Sequence, residues 1–200
     1  MYDLERKTTL KDNQTKQIKL LDAFNVGLEK ELLVYGSTAY YTRRYQEKEM
    51  KIPVNVYFNI DNSKKNQLGD PLPMGIVRLY KEDASESLQF IGEDKIDHTP
   101  KDETITLKVG KAFDVVCERR QTDYLQRTTK LREAEWEIII RNHKEEKITV
   151  GIIEPMYGNW RILKKSHPYE KEDAFNIRFN VEIPADGEVK VRYRVSVGLT

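Results

Sequence analysis

The sequence has little of three features that mark large classes of protein: cysteine, long apolar runs and charge of one sign. Its single cysteine, Cys117, excludes an intrachain disulfide framework. No apolar run approaches the roughly 20 residues of a membrane-spanning helix, and the opening MYDLERKTTL lacks the apolar core of a signal peptide. The 34 basic residues nearly balance the 33 acidic ones, so no broad field attracts nucleic acid or anionic lipid. The composition therefore predicts a chain that neither spans a membrane nor binds nucleic acid.

Alternation of apolar and polar residues is the main structural signal. A period of two places one face of a strand on a core and the other in water. The two longest alternating series are Phe175, Ile177, Phe179, Val181, Ile183 and Val189, Val191, Tyr193, Val195, Val197. Short strands separated by turn residues favour an all-β chain with two tandem antiparallel immunoglobulin-like β-sandwich units and little helix. Residues 40–50 are the one segment that suits either a helix or an edge strand.

Internal similarity divides the chain. The matching segments are DAFNVGLEKE (22–31) with KAFDVVCERR (111–120), FNIDNSKKN (58–66) with IIRNHKEEK (139–147), and HTPKDETITLKV (98–109) with IPADGEVKVRYRV (183–195). Self-similarity at a steady offset is typical of repeated structural units. The pattern predicts a first sandwich unit at 23–109 and a second at 110–200, with Phe24 equivalent to Phe113 and Asn62 to Asn142.

Residues 1–22 contain a third, looser copy, TTLKDNQTKQIKL (8–20). Because the other copies close a unit, we expect residues 1–22 to be the closing strand or strands of an upstream unit, packed on unit one. The chain would then be the C-terminal piece of a longer protein.

An acidic decapeptide, DKIDHTPKDE (94–103), raises the question of a metal or acid–base site. Its candidate ligands are Asp94, Asp97, His98, Asp102 and Glu103. The similar segment at 183–188 has no histidine, and Pro100 and Pro184 suit position i+1 of a turn whose aspartate bonds the backbone. Turn chemistry explains these residues, so we expect no metal and no cofactor.

The residues that most often carry catalysis are scattered. Cys117 shares an alternating face with Phe113 and Val115, which predicts a buried thiol and not a nucleophile. The histidines at 98, 143 and 167 form no metal-ligand or catalytic spacing. The sequence therefore predicts no catalytic residue, although catalysis stays open as a third interpretation.

The segment AYYTRRYQEK (39–48) is the strongest candidate for a binding surface. Tyr40, Tyr41 and Tyr45 would stack on sugar rings while Arg43 and Arg44 bind carboxylates. The alternative is an edge strand whose arginines prevent sheet-to-sheet pairing and whose tyrosines are half packed.

The combination of PLPMGIVRLYKED (71–83), QFIGEDKIDHTPKDE (89–103), GKAFDVV (110–116), ERRQTDY (118–124) and IIRNHKEEKITV (139–150) resembles the C-terminal domain of mucoidy-inhibitor-like bacterial proteins, a family of unknown function. The resemblance extends from about Tyr2 to Val197. It implies a β-sandwich-rich region behind a secretion signal and an N-terminal segment that is missing here. The full-length protein would then be extracytoplasmic, periplasmic or at the cell surface. The resemblance implies no reaction and no catalytic residues.

Two classes of function follow from these observations. The first is a non-catalytic interaction or scaffold module of a bacterial cell-envelope protein, which would bind a protein partner. The second is a glycan-binding module that serves a polysaccharide process. An uncharacterised hydrolase-type enzyme is the third hypothesis. Coplanar exposed aromatic rings in a groove would distinguish the glycan module from the scaffold.

Overall fold

A computed structural model describes residues 9, 11–17, 19–45, 49–83 and 85–198. These residues form an all-β structure with two short 3-10 helices, Thr38–Tyr41 and Lys64–Asn66. The strands are β1 (Glu29–Tyr35), β2 (Met50–Ile52), β3 (Asn55–Asp61), β4 (Gly75–Glu82), β5 (Leu88–Ile96), β6 (Thr104–Lys111), β7 (Val115–Gln126), β8 (Leu131–Asn142), β9 (Ile148–Pro155), β10 (Asn159–Lys165), β11 (Glu170–Lys171), β12 (Asn176–Ile183) and β13 (Glu188–Gly198). The prediction of an all-β chain with little helix is confirmed.

The strands assemble into three sheets. The orders are β11-β12-β9-β1-β3-β6, β10-β13-β8-β7-β2 and β4-β5. Neighbours such as β7 and β8, or β8 and β13, are antiparallel. The pair of β1 and β9 is parallel, with Leu32 opposite Val150. The all-β sandwich class therefore holds, although β1 and β9 are parallel, and the immunoglobulin-like connectivity stays a prediction.

Contacts divide the chain into two compact units, and each unit is made of separate stretches. One comprises Met1–Glu29 with Phe58–Leu107, and the other comprises Lys30–Tyr57 with Lys108–Thr200. This grouping differs from the consecutive division into 23–109 and 110–200. The cause is the pairing of β1 with β9, which follows more than a hundred residues later. This pairing places residues 30–57 in the same unit as residues 108–200.

The core of the second unit lies between strands of the two larger sheets. Phe179 on β12 stacks on Tyr193 of β13 with ring centroids 5.6 Å apart. The fully buried residues follow the alternation in the sequence: Ile177, Phe179, Val181 and Ile183 on β12, and Val191, Tyr193, Val195 and Val197 on β13. Burial of each such side chain stabilises the fold by about 1.5–3 kcal/mol. Phe175 and Phe113 are instead exposed, so Phe113 does not share the buried face of Val115 and Cys117.

The described residues of 9–22 form a turn and no strand. Gln14 donates its backbone N–H to the carbonyl of Lys11 at 3.2 Å, and Asp12 and Asn13 lie in the turn. The strand expected in this segment is therefore not found in its described part. Leu10 and Ile18, which would have packed on unit one, lie outside the described residues, whereas Leu20 is half-buried.

Two asparagines make matching sets of hydrogen bonds at the ends of β3 and β8. The Asn62 amide donates to the carbonyls of Asp70 and Pro100 at 3.0 and 2.8 Å. The Asn142 amide donates to the carbonyls of Glu146 and Pro184 at 2.8 and 2.9 Å. We call each asparagine with its bonded carbonyls an asparagine clasp.

The turns held by the clasps are alike. Asp102 and Asp186 both adopt the left-handed conformation, with φ of 63° and 48°. Gly187 donates to the carbonyl of Pro184 at 3.2 Å, which places this proline at position i of the turn and not at i+1 as expected. The proline still fits, because its carbonyl is the group that both the turn and the clasp use.

Candidate functional site

Residues 39–45, the described part of the segment expected to be a binding surface, form neither a long helix nor a strand. A 3-10 turn covers Thr38–Tyr41, and Ser37 caps it by accepting a hydrogen bond from the Ala39 N–H. Tyr41 is buried, with 1% of its surface exposed. It therefore cannot stack on an external sugar ring, which corrects the expectation for this residue.

The other four predicted residues pack against the protein itself. The rings of Tyr40 and Tyr45 lie 5.0 and 5.6 Å from the Trp136 ring. The Arg43 guanidinium lies over the Tyr45 ring, and Arg44 donates to the carbonyl of Tyr124 at 2.8 Å. These contacts build an internal aromatic cluster, and the structure does not bring the five side chains to one exposed stacking face.

Beneath that cluster lies a buried polar network that the sequence analysis missed. Arg119 on β7 and Glu154 on β9 form an ion pair, and both side chains are almost completely buried. The Tyr41 hydroxyl donates to Glu154 at 3.0 Å and lies 3.0 Å from the Tyr193 hydroxyl. The Arg119 guanidinium lies 4.6 Å from the centroid of the Tyr40 ring. Burial raises the pKa of both Tyr41 and Tyr193, so both hydroxyls stay protonated near neutral pH.

The alternation of residues along β7 could have indicated this network. Val115, Cys117, Arg119 and Gln121 occupy one face of β7, so an arginine on that face requires a buried partner. Gly36 leaves room for the partner, because a Cβ at this position would lie 2.2 Å from a carboxylate oxygen of Glu154. The ion pair joins a strand of each larger sheet, and the Nη1 atom of Arg119 is buried without a hydrogen-bond partner among the described residues.

On the outer face of β7, β8 and β13, charges of opposite sign lie opposite each other. Arg120 and Arg192 both pair with the fully buried Glu137, while Arg194 contacts Glu133 at 2.9 Å and Glu135 at 3.3 Å. Burial raises the pKa of Glu137, but hydrogen bonds from Arg192 and Arg120 outweigh that effect and hold it below its usual range. We call this surface the charge lattice. Its arginines are already engaged, as expected of a structural surface.

The acidic decapeptide belongs largely to β5 and the turn that follows it. Asp94 accepts from the N–H of Lys95 at 2.8 Å, and His98 accepts from the N–H of Met74 at 3.4 Å. The backbone N–H of Asp102 donates to the carbonyl of Asn62 at 2.8 Å. Among the described residues, no group of three or more His, Cys, Asp or Glu side chains could hold a metal ion.

Cys117 is buried, as the alternation predicted. Burial raises the pKa of its thiol to about 12, so the nucleophilic thiolate is scarce near neutral pH. His143 and His167 lie elsewhere on the second unit, where His143 bonds Asp114 through its backbone and His167 bonds its neighbour Ser166.

The first unit contains an open cavity of about 550 Å³. Its charged lining consists of Asp61, Lys64, Lys65, Lys101 and Asp102. The loop that contains Lys64 and Lys65 is held by Asn66, whose amide donates to the carbonyls of Asp61 and Gly27 at 2.8 and 2.9 Å. The lining mixes ammonium and carboxylate groups on an exposed surface, which gives it no strong preference for one sign of ligand.

The most unusual element of the first unit is the hairpin of β4 and β5. These strands pair with each other and, within the described residues, with no further strand. The Asn62 clasp joins the two legs at the base, since it binds one carbonyl before β4 and one after β5. At the tip, Asp83 accepts hydrogen bonds from Ser85, Ser87 and Gln89. A hairpin fixed at both ends presents two open edges to solvent.

One face of this hairpin is rich in exposed apolar side chains. Tyr80 and Phe90 lie opposite each other with ring centroids 5.6 Å apart, and each is more than half exposed. Ile76 and Leu88 are exposed to a similar or greater degree. Contiguous exposed apolar surface is typical of sites where a protein binds another protein.

The two edges of the hairpin differ. Ladder register shifts between Leu79 and Tyr80, so that β5 carries an extra residue and a bulge that disturbs its edge. The β4 strand is regular. The backbone N–H of Asp83 donates to the carbonyl of Ser87 at 3.0 Å, so the backbone groups of Asp83 face β5. Because backbone groups along a strand point alternately to its two sides, the N–H and C=O groups of Arg78, Tyr80 and Glu82 face the open edge. Pro73 and the bend at Met74 separate this ladder from the bridge at the base.

The sequence matches no protein-family model and no curated protein. No helix in the described ranges has the length and apolar character needed to cross a bilayer.

Proposed function

We propose that the chain is a non-catalytic interaction module and that the hairpin of β4 and β5 is its binding element. The partner is a protein that adds an extended strand to the open edge of β4. The single observation that carries this function is the pairing state of the hairpin: its regular β4 edge pairs with no strand among the described residues and lies beside an exposed apolar face. Strand addition to such an edge gives affinity through the backbone and specificity through alternate side chains.

The remaining polar clusters support this interpretation. The arginines of the charge lattice and of the buried network are bound to carboxylates of the same chain. The resemblance to the C-terminal domain of mucoidy-inhibitor-like bacterial proteins supports a role as a scaffold in the bacterial cell envelope, and we propose that setting for the module.

Photocrosslinking from the hairpin tests the function. A photoreactive residue replaces the exposed Lys81 in one variant and, in a matched control, the exposed Lys190 of β13, which lies beside the charge lattice. We expect a protein adduct from position 81 and none from position 190. The adduct should disappear with Tyr80→Pro, which removes one N–H of the open edge, and should persist in part with Tyr80→Ala, which keeps that N–H. Equal crosslinking from both positions, or none from position 81, would refute the proposal.

A further inference from the structure

The strands beside the Asn142 clasp provide a comparison for the open edge of β4. Asn142 binds the carbonyls of Glu146 and Pro184, which flank β9 and β12, as Asn62 binds the carbonyls that flank β4 and β5. The strands β9 and β12 are antiparallel, as are β4 and β5. The outer edge of β9 is occupied by β1. The corresponding edge of β4 has no strand beside it in the described part of the chain.

The sequence of β4 is complementary to itself when two copies run antiparallel. Arg78 and Glu82 lie two residues on either side of Tyr80. When Tyr80 lies opposite the Tyr80 of another copy, each Arg78 lies opposite a Glu82. Registers centred on Leu79 or Lys81 place Arg78 opposite a tyrosine or beyond the strand end, so they lack this charge pairing.

We propose that the partner of the β4 edge is a second copy of this chain. Two β4 strands pair antiparallel about a two-fold axis at Tyr80, and the two hairpins become one four-stranded sheet. This inference rests on the proposed function, because it names the partner of the same edge. An interface of this kind is isologous, as in most homodimers.

The proposed sheet satisfies the groups that the hairpin leaves exposed. Tyr80 of each copy exchanges two backbone hydrogen bonds with its equivalent, and the rings of Tyr80 and Phe90 from both copies meet on one face. Arg78, which already binds Glu93 at 2.9 Å, then lies between two carboxylates. The charge lattice has the same arrangement with the signs reversed, since Glu137 lies between Arg120 and Arg192.

Charge reversal at the two complementary positions provides a sharp test. In Glu82→Arg, each new arginine faces Arg78 of the other copy. In Arg78→Glu, each new glutamate faces Glu82. A mixture of the two variants restores two opposite-charge pairs in the heterodimer. Sedimentation velocity should show a concentration-dependent dimer for the parent, a dimer dissociation constant raised by about tenfold or more for either variant alone, and recovery on mixing. Lys190→Glu beside the charge lattice serves as the control and should leave the dissociation constant unchanged.

Several outcomes would overturn the inference, and they are distinct from failure of the proposed function. A dimer that is insensitive to both reversals would place the contact elsewhere. Failure to recover on mixing, with both variants folded by circular dichroism, would exclude the register centred on Tyr80. A monomeric parent that still forms adducts from position 81 with a different protein would refute self-association and leave the interaction function intact. A monomeric parent without adducts would refute both.

Discussion

The side-chain amide of Asn62 donates a hydrogen bond of 2.8 Å to the carbonyl of Pro100, at the far side of a hairpin that lies between the two residues in the sequence. The same amide binds the carbonyl of Asp70, and its oxygen accepts from the N–H of Gly69 at 3.1 Å. One buried side chain therefore closes the base of the proposed binding element.

Asn142→Ala should destabilise the second unit by about 2–4 kcal/mol. The change removes three side-chain hydrogen bonds and leaves the carbonyls of Glu146 and Pro184 with fewer donors. Urea unfolding followed by circular dichroism measures the loss. The exposed Asn180 provides a control, since Asn180→Ala should change stability by less than about 0.5 kcal/mol. Equal effects at 142 and 180 would show that the clasp is not a stabilising element.

Asn62→Ala should loosen the hairpin base. Loss of the amide frees the carbonyls of Asp70 and Pro100, so local opening becomes easier. Hydrogen exchange measured by mass spectrometry should show faster exchange in peptides from 70–100 and unchanged exchange in peptides from β8 and β13. Unchanged protection of the hairpin would contradict the role assigned to Asn62.

Arg119→Met should destabilise the fold by about 3–5 kcal/mol, because it leaves the Glu154 carboxylate buried without its cation. The double variant Arg119→Met with Glu154→Gln should be more stable than Arg119→Met alone. A glutamine still accepts from Tyr41 and carries no charge. A double-mutant cycle by chemical denaturation gives the coupling, and additive losses would mean that the two charges are independent.

Cys117 should resist thiol reagents in the native protein. Its burial and its pKa of about 12 leave almost no accessible thiolate at pH 8. We expect Ellman's reagent to react with no thiol before denaturant is added and with one thiol per chain afterwards. Reaction of the native chain at the rate of free cysteine would show the thiol to be accessible.

Glu137 should contribute to stability at neutral pH and lose that contribution in acid. Its pKa is lower in the folded chain than in the unfolded chain, whose value is about 4.3. The unfolded chain therefore takes up the proton first as pH falls, and acid favours unfolding. The difference in unfolding free energy between the parent and Glu137→Gln should be constant above about pH 5 and shrink below about pH 4. A difference that persists to the lowest accessible pH would contradict the shift.

Local pattern was sufficient where a strand is regular. The alternation of Val191, Tyr193, Val195 and Val197 predicted both the strand and its buried face, because side-chain direction in a strand depends only on position. The same alternation failed at Phe113 and Phe175. Each lies just before its strand begins, where the backbone no longer alternates, and each is largely exposed.

The burial of Tyr41 could not be predicted from the sequence for a different reason. Nothing near Tyr41 indicates that its hydroxyl will bond Glu154, which lies 113 residues further along the chain. A run of tyrosines and arginines predicts an exposed surface when the residues that they contact lie far away in the sequence. The sequence of the hairpin could not predict its open edge either, because whether an edge is paired depends on where the other strands of the chain lie.

The parallel pairing of β1 with β9 has a consequence for how the chain is synthesised. When β1 leaves the ribosome, the strand that it needs has not been made, and at about 5–20 residues per second the wait is on the order of ten seconds. Residues 58–107, with their local hairpin, are complete well before that time. The first strand of the unit made of residues 30–57 and 108–200 therefore spends this interval as nascent chain, before Leu32, Leu33 and Val34 are buried. A chaperone that binds short apolar segments would find its target there.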